Sequence, residues 1–412
     1  MKYRSTAGDA SGRSFADVVL EGAAPDGGLY VPETVPQYDP PASAVHSDYV
    51  ACALEAFGAT GVEDLITEAF SRFHHPEIAP LVEVGDCQVL ELFWGPTLSF
   101  KDHAMQVLAR LFNRYLTERG EERTVLVATS GDTGSAAIEA FRGLEAVQIV
   151  VLYPTGMVSD YQRRQMTTVK SPNVKVLSVA GTFDDCQRMI KEAFRNGSGL
   201  ASANSINWGR LASQIGYYLA TAGRIEGPFE VVVPTGNFGN AYSGWMAKRM
   251  GVPISQIVIA TNANKVLFDL YETGKVRADK PVATLAPAMD IQVPSNLERY
   301  LSDHSPSAFS GDFRAGWADD ATILETIARV YETHGVLIDP HTAAAWAVAD
   351  TLETPTVPRV VVSTAHPAKF AATIERATGI SPEVPEWGVI DPSLPERSVE
   401  IAPELEALEE YL

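Results

Sequence analysis

The sequence predicts an α/β protein built on parallel sheets, and three observations predict it. Short runs of β-branched residues recur along the chain, each ends in a loop containing Gly, Asn, Thr or His, and helical patterns of ten to fifteen residues alternate with them. Strands of that kind are covered by helices on both faces, and ligands collect at their carboxyl ends. The length, 412 residues, fits two or three domains.

In chain order, the first eighty residues are mixed. The segment GAAPDGGLYVP (22–32) is dense in turn formers, and a helical pattern is expected over 47–73. From Val82 short apolar runs and longer amphipathic ones alternate. LFWGPTLSFKD (92–102) leads into a helix with Met105, Leu108, Leu111, Phe112 and Leu116 on one face. Strands are expected at 125–128, 148–153, 174–179, 229–234, 256–261 and 359–363, with a helix beginning near Phe183.

Composition narrows the function. Lys and Arg number 32 against 52 Asp and Glu, a net charge of −20, and that field repels nucleic acid and anionic membranes. An anionic substrate would need a local positive pocket. The three cysteines, Cys52, Cys87 and Cys186, form no CxxC pair, so neither a disulfide framework nor a zinc site is expected, and Cys87 and Cys186 read as small buried hydrophobes. No apolar signal segment opens the chain and no run of about 18 apolar residues occurs. A cytoplasmic protein without metal is the expectation.

Three constellations carry chemistry. Ser99 and Asp102 stand in S-x-x-D relation, a capping signal that places Lys101 in a first helical turn. The partial positive charge there disfavours an ammonium and suits a lysine that must attack a carbonyl. Thr129-Ser130-Gly131-Asp132-Thr133-Gly134 joins a strand to a helix and offers hydroxyls and amide hydrogens to a carboxylate or phosphate. Pro234-Thr235-Gly236-Asn237-Phe238-Gly239-Asn240 does the same; it is neither a nucleotide P-loop nor a G-x-G-x-x-G turn, and it can form a cup for one phosphate. Singly these are a solvated lysine and two capped loops. Together they equip a chain to hold a phosphorylated aldehyde cofactor, pyridoxal 5′-phosphate.

Those residues, with APDGGLYVP (24–32), ATSGDTGSAA (128–137), NSINWGR (204–210), AMDIQVPSNLERY (288–300), IDPHTAAAW (338–346) and STAHPAKF (363–370), make a sequence that resembles the threonine synthase family of fold-type II pyridoxal-phosphate enzymes, in its longer branch with an extra N-terminal region. The resemblance implies a tryptophan-synthase-β-like fold of two doubly wound α/β domains. Their expected bounds are 1–80 for the N-terminal region, 81–115 with 200–412 for the larger domain, and 116–199 for the smaller one carrying the SGDTG loop. It also implies conversion of O-phospho-L-homoserine and water to L-threonine and phosphate. Lys101 then resembles the Schiff-base lysine; Gly236, Asn237, Phe238, Gly239 and Asn240 the cofactor's phosphate cup; and Thr364 the hydroxyl facing the pyridine nitrogen. Thr129, Ser130 and Thr133 resemble the substrate loop, and Asn204, Ser205 and Arg210 an outer phosphate site.

Trp94, His103 and Asn240 depart from the commonest family pattern, and His341 and His366 read as structural hydrogen-bonding groups. The rival functions are a related lyase acting on O-phosphothreonine and a cofactor-free homologue that binds a phosphorylated amino acid. The branch resembled implies a monomer, while dimers are common in the wider family.

Overall fold

The computed structural model describes residues 1–8, 11–42, 45–196 and 199–412. Every strand expected from the sequence forms, and each lies in one of two largely parallel sheets. A six-stranded sheet has the spatial order Phe313–Trp317, Ile254–Thr261, Phe229–Pro234, Arg359–Ser363, Cys87–Glu91, Leu81–Val84. Only the last pair is antiparallel, closed by a turn in which Val84 faces Cys87. A five-stranded, wholly parallel sheet has the order Val399–Ile401, Val174–Val179, Val147–Pro154, Arg123–Ala128, Leu200–Ser202. Val231, Val232 and Val233 are fully buried, as are Val125, Leu126 and Val127, because helices cover both faces of each sheet.

Two strands join a sheet other than the one their position suggests. Leu200–Ser202 and Val399–Ile401, both within the stretch assigned to the larger unit, pair into the five-stranded sheet. The chain from Asp391 onward therefore returns to that sheet, held there by ion pairs of Arg163 and Arg164 with Glu396 and by Lys175 Nζ on the Tyr411 carbonyl at 2.8 Å.

The N-terminal region departs from expectation in two ways. The single helix over 47–73 is two, His46–Ala56 and Glu63–Phe70, because Gly58 and Gly61 take positive φ (97° and 57°) between them and turn the chain. A small antiparallel sheet, Ser11–Arg13, Tyr3–Ser5, Tyr30–Pro32, is new; strands of three residues leave no periodic signal. This region packs on the helices Lys101–Arg119 and Trp208–Ala222, through contacts such as Tyr3 and Phe57 against the Trp208 ring.

Helix Lys101–Arg119 carries the chain from the six-stranded sheet to the five-stranded one, and Trp208–Ala222 brings it back. Both are buried over most of their length. The ends of strands Arg123–Ala128, Phe229–Pro234 and Arg359–Ser363 therefore open toward one another, and the site lies there. Among the described residues no helix is long and apolar enough to cross a membrane, and no cluster of His, Cys, Asp and Glu could hold a metal ion. Cys186 is buried, whereas Cys52 and Cys87 are half-buried, Cys87 because it opens its strand at the turn from Val84 while Val89 and Leu90 farther along are buried.

Candidate active site

Lys101 is the first residue of its helix, as the sequence predicts, but Ser99 does not cap it. Ser99 Oγ is buried without a partner, and the Asp102 carboxylate reaches back to the Thr97 amide (2.8 Å) and hydroxyl (2.6 Å). The approach to the helix is fixed by backbone: Leu98 adopts a left-handed φ of 62°, the Leu98 carbonyl accepts from His366 N–H (3.0 Å), and Phe100 N–H donates to the Thr364 carbonyl (2.8 Å). Residues 98–100 are thereby stitched to the strand end that presents Thr364.

One cavity is lined by Lys101, Thr129, Ser130, Thr133, Asn204, Ser205, Arg210, Gly236, Asn237, Phe238, Gly239, Asn240 and Thr364, so it brings together all thirteen positions singled out in the sequence. The lysine is buried and its amine is pushed down from the usual lysine range, first by that burial and then by Arg210 and Lys369, against the pull of Asp132. Desolvation, rather than the helix terminus the sequence pointed to, is the largest cause of that shift.

The 236–240 turn is a preformed cradle. Phe238 takes a left-handed φ of 63° and caps helix Gly239–Arg249, held by its ring among Tyr242, Tyr300, Phe309 and Phe313. A Cβ on Gly236 would lie 2.6 Å from the Ala288 carbonyl and 2.9 Å from Met289 Cα, so only glycine fits beneath that segment. Asn240 Oδ1 accepts from the Tyr217 and Tyr218 hydroxyls (2.5 and 2.7 Å), which fixes its amide; Nδ2 is left buried with no partner in the cavity wall. An oriented orphan donor beside a helix N-terminus suits a phosphate, so these residues fit the group the sequence implied.

Across the cavity, Thr129 Oγ accepts from Gly131 N–H (2.9 Å) and Gly134 N–H (2.8 Å) and shapes its loop, leaving Ser130 and Thr133 as the half-buried hydroxyls. Arg210 is 2% exposed and pairs with no carboxylate among the described residues; NH1 donates to the Ala203 carbonyl at 3.3 Å and Nε has no partner. Burial lowers it to about 10, still a cation at neutral pH. A buried, unpaired guanidinium is costly unless an anion comes to it. Asn204 Oδ1 beside it is also buried without a partner, and turning that amide over would make it a donor.

The sequence reading missed Asp132 and Lys369. Asp132 Oδ2 lies 3.4 Å from Lys101 Nζ and Oδ1 lies 2.9 Å from Lys369 Nζ. Burial alone would raise this carboxyl, but the two ammoniums and the Gln162 amide hold it well below the usual range. Both residues stand inside motifs already singled out; a lysine in the otherwise apolar turn HPAKF was the available signal. His341 lines the cavity with both nitrogens engaged, Nδ1 with Asp339 (2.7 Å) and Nε2 accepting from Ala288 N–H (3.2 Å). His366 Nδ1 accepts from Ala368 N–H. Trp94 is outside the cavity wall, its indole donating to Glu91 and stacking on Trp387.

Comparison with known proteins places this geometry. Residues 89–364 match the family of pyridoxal-phosphate dependent enzymes, residues 2–69 the threonine synthase N terminus, and residues 342–412 the threonine synthase C-terminal family. The chain is thus a pyridoxal-phosphate-dependent enzyme of fold type II. Threonine synthase from Pseudomonas aeruginosa is 40% identical over 93% of this chain and 92% of its own. Threonine synthase from Saccharomyces cerevisiae is 36% identical over 91% and 88%. The crystal structure of pyridoxal-phosphate-bound threonine synthase from Brucella melitensis superposes with a TM-score of 0.92 at 38% identity, covering 100% of this chain and 98% of that one. The chain belongs to the threonine synthase family.

Proposed function

We propose that this cavity converts O-phospho-L-homoserine and water to L-threonine and phosphate, with the thirteen residues in the roles their places suggest. The observation that carries the reading is that the buried, unpaired Arg210, the anion cradle at 236–240 and Lys101 line one cavity, which thus offers seats for two phosphates and an amine. Pyridoxal phosphate, when bound, supplies an aldehyde to receive the substrate amine and a ring to hold the electron pair left on carbon.

The residues do the rest. Gly236, Asn237, Phe238, Gly239 and Asn240 would hold the cofactor phosphate through amide hydrogens and the Asn240 amide. Thr364, in the same wall, would offer a hydroxyl to the ring nitrogen of the bound cofactor, a partner that favours a neutral nitrogen where a carboxylate would favour a protonated one. Ser130 and Thr133 bind the substrate carboxylate, and Thr129 shapes their loop. Lys101 takes the α-proton and then one β-proton; once phosphate has left the γ carbon a proton is returned there to make the methyl group, and after water has added at the β carbon the α carbon takes its proton back. Asn204, Ser205 and Arg210 hold the phosphate that leaves the γ carbon, and water then adds at the β carbon. Because the substrate loop rides on the five-stranded sheet and the cofactor cup on the six-stranded one, binding across both draws them together and keeps bulk water out until that step. We assign the enzyme to the cytoplasm and read it as a monomer, which sedimentation at working concentration checks.

Turnover of O-phospho-L-homoserine separates this reading from its neighbours. Threonine and phosphate in equal amounts are expected. Phosphate from O-phosphothreonine alone would make the chain a phospho-lyase, and binding of either substrate without product would make it a sensor. Lys101→Ala is expected to abolish turnover; an active variant would overturn the assignment.

A further inference from the structure

We propose that Lys369 is a positioning residue of this site: its ammonium, fixed from behind by Thr97 and Gln165, takes up the charge of Asp132 and so leaves the Lys101 amine free to act. The inference rests on the reading of Lys101 given above.

Lys369 lies in the short turn Pro367–Phe370 after strand Arg359–Ser363, and its side chain is wholly buried. Its Nζ reaches the Thr97 carbonyl at 2.7 Å, Gln165 Oε1 at 3.0 Å and Asp132 Oδ1 at 2.9 Å. Three acceptors match the three hydrogens of an ammonium, so the charge is both expected and immobilised. Asp132 Oδ1 takes a further bond from Gln162 Nε2 at 2.8 Å, and only Oδ2, at 3.4 Å, is left toward Lys101.

The charge count gives the consequence. Lys101 faces Asp132 from helix Asp132–Phe141, Arg210 from helix Trp208–Ala222, Lys369 from its turn, and the hydrogen-bonded ring of His341 from helix Pro340–Thr351. With Lys369 in place Asp132 is already balanced, and a protonated Lys101 adds an uncompensated charge to a buried cavity. Without Lys369 a protonated Lys101 becomes the partner of Asp132, and the amine is held as an ammonium. The other groups facing Lys369 are Asp102, whose carboxyl burial raises to about 6 against its bonds to Thr97, and His366, lowered by burial to about 4. Neither competes for Asp132.

The test uses the full chain stripped of cofactor and mixed with pyridoxal phosphate, reading the growth of the visible absorbance band against pH, alongside the pH profile of kcat/KM for the loaded enzyme. Lys369→Met is expected to move the pH midpoint of capture upward by about one unit or more. Lys369→Met with Asp132→Asn is expected to bring it back, and Lys369→Arg to leave it near that of the parent. A midpoint unmoved in Lys369→Met, or one the double variant does not restore, overturns the proposal. Should Lys369→Met not fold, Asp132→Asn alone decides: Lys101 then faces Lys369 without the carboxylate and the midpoint falls, while an unchanged or higher midpoint counts against the role. Capture by a Lys101→Ala chain would instead defeat the underlying reading of Lys101.

Discussion

Arg210 is a buried cation without a carboxylate, and that has two opposite consequences. In the empty protein it costs stability, so Arg210→Met should raise the thermal midpoint, by the equivalent of roughly 1 kcal/mol or more. With substrate present it is the charge that meets the phosphate, so the same variant should raise KM on the order of 10²-fold. In the cofactor-loaded protein, where the 236–240 cradle is filled, inorganic phosphate should stabilise the parent and not the variant. Thermal denaturation with and without phosphate checks both; a variant that is less stable yet still phosphate-responsive would place the anion elsewhere. His103, one of the departures from the family pattern, is a second residue with a measurable signature. Burial among Phe73, Phe70, His46 and Tyr217 lowers its imidazole from 6.5 to about 3, outweighing a contact to the Leu92 backbone. The folded value lies below the unfolded one, so the stability tied to its neutral form is full above about pH 6.5 and is lost as pH falls toward 3. Unfolding free energy should therefore fall by up to about 1.4 kcal/mol per pH unit for this one group below pH 6. His103→Phe should remove that share, and an unchanged slope would show that His103 is not what acid titrates.

At the scale of elements, the site depends on how two short turns meet. Gly236 is covered by the 287–291 segment, whose Ala288 amide is in turn held by His341. Gly236→Ala must displace that segment, because both near atoms are backbone, and should weaken cofactor binding about tenfold or more with a loss of roughly 1–3 kcal/mol of stability. Equilibrium titration of the cofactor-free chain measures it; parent-like affinity would mean that the segment yields freely. Strands and loops of this kind were legible because their signals are local. The runs at 125–128 and 229–234 are rich in valine and end in loops of Thr, Gly and Ser or Asn, and those loops carry the chemistry that strand ends attract. The Ser99 cap was misread because a cap needs an extended backbone before the helix, and here Leu98 is left-handed and Phe100 already helical. The Lys369 to Asp132 pair was not legible at all: the two residues are far apart in sequence and meet only because separate strands end at one place.

At the scale of the molecule, a chain with net charge −20 encloses a cavity whose unpaired charge is a cation. The field of the exposed charges is screened over a Debye length of about 10 Å at moderate salt, whereas Arg210 is buried in the cavity wall and is screened much less. Raising ionic strength from roughly 10 to 100 mM should screen the repulsive field first and increase kcat/KM by about two- to fivefold. A monotonic fall would show that exposed cations, not the buried one, guide the substrate. The central claim is that two anion cradles and Lys101 act on one phosphorylated amino acid, and product analysis tests it most directly. Incubated with O-phospho-L-homoserine, the cofactor-loaded enzyme is expected to yield L-threonine and phosphate in equal amounts; phosphate accompanied by 2-oxobutanoate and no threonine would contradict it.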